Sequence, residues 1–237
     1  MQHTNAIMIL RCYFGNPTQA KSTGCRCHLL EAAALWLIIG GAIAAPTSAR
    51  PTNSAPNVVV LLADDLGYAD LGCYGHPHMR TPHLDQLAEQ GLRFTACYSA
   101  APMCSPARAG LLTGRSPHRV GIYDWIAHDG TSKVHLRSTE ITFAQLLQQA
   151  GYQTALHGKW HLNSEFNTDT QPQPDDQGFE YWYATQFSPP HLNPTGFVRN
   201  GEPLPAQQGY ACQLVVSDAI QWIREARDPA RPCLLYT

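Results

Sequence analysis

Cys104-Ser105-Pro106-Ala107-Arg108 puts a nucleophile candidate four residues ahead of a guanidinium. Pro106 suits the first turn of a helix, where its missing N–H is no loss. At i, i+4 the two side chains share one helix face. The spacing therefore predicts a helix with Cys104 at its N-terminal mouth, where free backbone donors and the helix dipole favour an anion. An arginine fork beside that mouth suits a tetrahedral oxyanion. Asp64-Asp65 adds two adjacent hard oxygen donors, suited to Ca2+ or Mg2+ rather than zinc. Lys159 and His161, at i and i+2 on a predicted strand, point to one side. There the lysine can hold an anion and the histidine can exchange protons near neutral pH. Taken singly, each has an ordinary explanation: a solvated acidic pair at a loop start, a surface lysine, a packed histidine. His76, His78 and His83 are unevenly spaced in a loop and read as surface residues. Arg115 follows the Cys104 helix, where a cation is favourable anyway, and reads as structural.

These groups need elements to carry them. Asn57 to Ala63 is a continuous aliphatic run, predicting a strand buried on both faces and ending in the two aspartates. Pro82 to Gln90 reads as a helix, with Thr81 as its N-cap, Leu84, Leu87 and Ala88 on one face and Gly91 as its stop. Arg93 to Ser99 alternates and predicts a second strand. The Cys104 helix runs to about Thr113, closed by Gly114. Ser116 to Arg137 has no clean period and reads as loop. Thr142 to Ala150 is helical, capped by Thr139 or Thr142. Tyr152 to Leu162 is a strand with Trp160 directed into the core. Asn163 to Pro205 reads as one long irregular stretch. Gly209 to Arg227 is a second long helix, and Cys233 to Thr237 begins another strand. The alternation gives an α/β fold with a largely parallel central sheet flanked by helices. On this reading the chain is a fragment of a longer protein, ending inside the sheet.

Composition narrows the classes. The 237 residues carry a net charge of −2 with 14% charged residues and no basic run, which excludes a nucleic-acid binder. Residues 1–49 differ from the rest: Arg11, Lys21 and Arg26 precede the apolar run Ala32 to Ala45 and then Pro46-Thr47-Ser48-Ala49. That order is a secretory signal peptide, with an N-terminal anchor as the alternative. It predicts a secreted or periplasmic protein with no stable membrane span after cleavage, and residues 50–237 as the N-terminal part of a catalytic domain. Outside the presequence lie Cys73, Cys97, Cys104, Cys212 and Cys233. Four of them could pair in an oxidising compartment or remain buried thiols.

With these motifs in order, the chain resembles the type I, formylglycine-dependent sulfatases of the alkaline phosphatase superfamily. Cys104-Ser105-Pro106-Ala107-Arg108 matches their Cys-x-Pro-x-Arg signature, and Ala109 to Arg115 its usual continuation. Pro56 to Gly67, Thr81 to Ala88 and Gly158-Lys159-Trp160-His161-Leu162 match three further blocks. The resemblance implies an arylsulfatase-like hydrolase of sulfate esters, on a sulfated small molecule or glycan. It implies that a formylglycine-generating enzyme oxidises Cys104 to Cα-formylglycine, whose hydrate attacks sulfur. The sulfated intermediate then decays by elimination, with His161 as base. Arg108 and Lys159 would hold the nucleophile and the sulfate, and Asp64, Asp65 and residue 104 would bind Ca2+, with Mg2+ the lesser alternative.

Two departures accompany the match. Asn163 stands where glycine commonly follows Lys-Trp-His-Leu. The family's later metal-ligand pair and its later substrate-binding His or Lys have no counterpart among the 237 residues, so the chain alone is expected to be inactive. Two other readings of the same residues stay open. One is a phosphonate monoester or phosphodiester hydrolase with the same machinery, and the other is an inactive anion-binding fragment.

Overall fold

The computed structural model describes residues 55–237; the predicted signal peptide lies outside the described residues. A six-stranded sheet organises the molecule in the order β1-β6-β2-β3-β4-β5. Its strands are β1 (Val58–Val60), β2 (Gln153–Lys159), β3 (Tyr181–Thr185), β4 (Phe197–Arg199), β5 (Glu202–Pro203) and β6 (Cys233–Tyr236). The β1–β6, β6–β2 and β2–β3 pairs are parallel, and β3–β4 and β4–β5 are antiparallel. The sheet is thus largely parallel with an antiparallel edge, as the strand–helix alternation requires.

Among the described residues there are five α-helices, α1 (Pro82–Gln90), α2 (Cys104–Thr113), α3 (Pro117–Val120), α4 (Phe143–Gln149) and α5 (Ala211–Gln221), of which α4 and α5 pack on β2. Strand alternation on β6 divides the core in two. Leu234 and Tyr236 join Leu112, Ile122, Ala144, Leu156 and Phe179 on the face covered by α2 and α4. Cys233 and Leu235 join Ala155, Ala219 and Trp222 under α5. Trp160 is buried in the first cluster, as expected. No helix among the described residues is long and apolar enough to cross a membrane.

Several elements differ from the reading of the sequence. β1 is shorter than Asn57–Ala63, and among the described residues it is a sheet edge with Val59 exposed rather than a strand buried on both faces. Arg93 to Ser99 forms no strand. Its backbone carbonyls are taken by side chains instead: the Tyr74 hydroxyl donates to the Phe94 carbonyl at 2.8 Å and the Tyr68 hydroxyl to the Thr95 carbonyl at 3.4 Å. Thr81 precedes α1 without capping it, because its hydroxyl donates to Asp85 at 2.8 Å and accepts from the Gly72 N–H at 2.9 Å. Ser116 to Arg137 contains the short helix α3. The long stretch Asn163 to Pro205 contains three strands, and β2 stops at Lys159, before His161. The helix after Gly209 passes into a wider π turn over Trp222–Ala226. Cys73, Cys97, Cys104, Cys212 and Cys233 are all free thiols.

Candidate active site

The site forms where β1 and β2 end side by side, held together by β6 between them. After β1 the chain reaches Asp64 and Asp65. In a continuing strand their carboxylates would point to opposite faces. Asp65 instead has a left-handed φ of 57°, a conformation that short polar residues tolerate, and this breaks the alternation. The ligand atoms of Asp64, Asp65 and Cys104 consequently lie within 4.8 Å of one another. A cleft beside them is lined by Leu62, Asp64, Asp65, Met103, Cys104 and Arg108.

Cys104 opens α2 behind an extended Met103, at the helix mouth the Pro106 spacing predicts. Gly114 ends the helix at φ 64°, its N–H returned to the Gly110 carbonyl. Ser105 is fully buried, and its Oγ accepts the Ile126 N–H at 3.0 Å. That bond fixes the 121–130 loop against the N-terminus of α2. Arg108, 3% exposed, donates from one terminal nitrogen to the Lys159 carbonyl at 2.7 Å and from the other to Asp64 Oδ1 at 3.4 Å. Its Nε is buried with no partner.

Lys159 Nζ donates to Asp64 Oδ2 at 2.9 Å and contacts Ser188 Oγ at 3.1 Å, while Ser188 Oγ donates to the same carboxylate oxygen at 3.2 Å. Burial pushes the Asp64 carboxyl up. The Lys159 hydrogen bond and the Arg108 charge outweigh it, leaving the group down at about 2. Asp64 is thus an ionised carboxylate between two cations, and Arg108 lines the cleft beside it.

His161 reaches the site by a different route from the one its spacing suggests. It lies beyond β2 with φ 57°, after Gly158 at φ 108°, so strand alternation does not govern where it points. Its Nε2–H donates to the Ile126 carbonyl at 2.9 Å. The carbonyl can only accept, so the neutral ring carries its proton on Nε2 and leaves Nδ1 as a bare acceptor. Nδ1 is buried and unpartnered. Burial chiefly, with the Lys159 and Arg108 charges, lowers His161 to about 4.

All six predicted site residues are therefore gathered at one end of the sheet. Five of them form the carboxylate–cation cluster, and His161 stands beside it on Ile126. Ser188 and the Ile126 backbone were not legible beforehand. Ser188 sits in Ser-Pro-Pro, which reads as turn chemistry, and a backbone carbonyl leaves no trace in residue type. The residues set aside also fall as expected: Arg115 pairs with buried Glu140 at 2.5 Å, and His83 lies exposed on α1. Asn163 is buried, with its side-chain amide donating to the Pro172 carbonyl at 3.1 Å and its oxygens accepting from Gln186 at 2.7 Å. Those bonds brace the segment that carries Phe187 and Ser188.

The donor set tests which ion fits here. Two carboxylates suit a hard cation, whereas a thiolate sulfur as the third donor does not. An oxygen-bearing side chain at position 104 removes the mismatch.

The family profile described as Sulfatase matches residues 56–237. The chain is 45% identical over 143 residues to human arylsulfatase D, covering 56% of this chain and 23% of that protein. It is 46% identical over 140 residues to human arylsulfatase A, covering 59% of this chain and 26% of that protein. It thus spans about a quarter of the length of the curated relatives it matches. Among solved structures, BT4656 in complex with its substrate D-glucosamine-2-N,6-O-disulfate superposes with a TM-score of 0.63 at 34% identity, over 76% of this chain and 33% of that one.

Proposed function

Because the chain belongs to the sulfatase family, whose alkaline phosphatase-like α/β fold it shares, we propose that it carries the nucleophile-bearing part of a sulfuric ester hydrolase. The observation that carries this reading is the joint placement of residue 104, two carboxylates and two cations: Asp64, Asp65 and Cys104 within 4.8 Å, with Arg108 and Lys159 on Asp64. The relatives reported above are sulfatases, which favours a sulfate ester over a phosphodiester.

In the proposed reaction Arg108 and Lys159 hold the sulfate oxygens and offset the charge that develops on them. Ser188 Oγ, already bonded to Lys159 and Asp64, keeps the lysine beside Asp64. His161, neutral at pH 7 with Nδ1 bare, accepts a proton at that atom, while the Ile126 carbonyl holds the ring by Nε2–H. Asp64 and Asp65 would hold Ca2+ with the oxygen of a formylglycine made from Cys104. When bound, that pair would supply an activated oxygen nucleophile at neutral pH. Ca2+ takes six to eight oxygens, so its remaining ligands would come from substrate, water and other parts of the whole protein.

The same reading makes a sulfatase-maturing enzyme a partner of the chain and puts the protein outside the cytosol, secreted or periplasmic. The test is mass spectrometry of the tryptic peptide Phe94–Arg108 from protein made in its native host. Conversion of Cys104 to the aldehyde is expected, and a quantitatively unmodified thiol would sink the formylglycine reading.

A further inference from the structure

Next to the charged cluster lies a second group of side chains that the proposed reaction does not use. Trp125 is 48% exposed and Phe187 38% exposed. His128, also exposed, stacks on Phe187 with ring centroids 3.6 Å apart and planes 23° from parallel. The Trp125 ring is 6.1 Å from His128 and 6.1 Å from His161. These rings ride on segments already fixed by the site. Trp125 adjoins Ile126, whose N–H and carbonyl bind Ser105 and His161. Phe187 adjoins Ser188, which binds Lys159 and Asp64. Half-exposed aromatic faces held rigidly at the rim of a polar cleft are characteristic of ligand contact. Two exposed carboxylates, Asp124 and Asp129, adjoin Trp125 and His128 in the chain.

From this we propose that Trp125, His128 and Phe187 form an aromatic bracket for the alcohol half of the substrate, and that this half is a pyranose ring. The inference rests on the sulfate-ester reading of the cleft. A sugar offers C–H faces to the rings and hydroxyls to the carboxylates, and an acyclic chain offers no face to stack. Asp124 and Asp129 repel further anionic groups, so the bracket favours a ring bearing the single sulfate that Arg108 and Lys159 receive.

The experiment compares a monosulfated pyranoside with the corresponding sulfated hexitol, which keeps the hydroxyls and lacks the ring, using the full-length matured protein. The wild type is expected to prefer the pyranoside in kcat/KM. Trp125→Ala is expected to reduce that preference about tenfold, the scale of an aromatic stacking contact, and Trp125→Phe to restore most of it. In parallel, the pyranoside is titrated against the intrinsic fluorescence of the wild type and of Trp125→Phe, and the difference isolates the Trp125 signal. A wild type with no ring preference, or a Trp125→Ala variant with that preference intact, overturns the bracket and leaves the sulfatase reading standing. Pyranoside binding that perturbs Trp125 without any turnover supports the bracket and counts against the sulfatase reading.

Discussion

Asp64 is the residue on which the site turns. It accepts from Arg108, Lys159 and Ser188 at once, and no local pattern announces that. Asp64, Asp65, Cys104, Arg108, Lys159 and His161 could be named from residue type and spacing, since nucleophile, cations and hard donors are scarce types with few ways of working together. Their connections could not, because Lys159 and Asp64 are 95 positions apart. His161 shows the limit most clearly: the residue was legible, but its left-handed backbone and its bond to Ile126 were not.

The environment of His161 leads to a prediction at this scale. Burial holds the folded-state value at about 4 against 6.5 for the free side chain, so the unfolded chain binds the extra proton first as pH falls. Stability on this account is full above pH 6.5 and is lost progressively toward pH 4, by up to about 3 kcal/mol. Urea denaturation at pH 7.5, 5.5 and 4 should show this slope in the wild type. The His161 component should be missing in His161→Asn. In the full-length matured protein the acid limb of turnover is expected near pH 4, well below that of an ordinary histidine base.

At the scale of elements, local rules succeeded where a helix end is made by its own residues. Pro106 and Gly114 bound α2, and α4 carries a complete capping box in which Thr142 and Gln145 exchange bonds at 3.1 and 2.9 Å. They failed where pairing partners decide. β3 to β5 lie in a Pro-rich, Asn-rich stretch that has no period of its own and become strands through their neighbours. Arg93 to Ser99 has the alternation but no neighbour to pair with among the described residues.

One packing contact makes this dependence measurable. Gly178, at φ 95°, has the backbone nitrogen of Gln145 2.5 Å from where a Cβ would stand. Gly178→Ala must push α4 away while adopting a strained backbone. A loss of about 1–3 kcal/mol in chemical denaturation is expected, whereas Gly75→Ala, at φ 94° with open space around it, carries the backbone strain alone.

On the scale of the whole molecule, the α5 face of the sheet is tied down by a polar knot remote in sequence from the proposed chemistry. Asp218, 8% exposed, accepts from Tyr181 at 2.9 Å, His157 at 3.1 Å and Arg199 at 2.5 Å, joining α5 to β2, β3 and β4. Burial raises Asp218, and the hydrogen bonds of His157, Tyr181 and Arg199 overcome it, so the carboxylate stays ionised below its usual range. Removing the hub leaves buried His157 unpaired. Asp218→Ala is expected to cost about 3 kcal/mol or more. Arg199→Ala removes a side chain that is 44% exposed and is expected to cost less than about 1 kcal/mol. Thermal unfolding of the two variants separates them, and equal losses would refute the hub.

The strand order has a consequence in time. β6 lies between β1 and β2, yet it is the last of the three to be made. At about 5–20 residues per second, the ribosome would take on the order of ten to thirty seconds to go from the Asp64 codon to the codons of β6. Through that interval the carboxylates and Lys159 have no shared sheet to mount them. The charged cluster is therefore assembled by the closing strand rather than by the elements that bear it. Any slow step in delivering Cys233–Tyr236 sets the rate at which the two halves of the site meet.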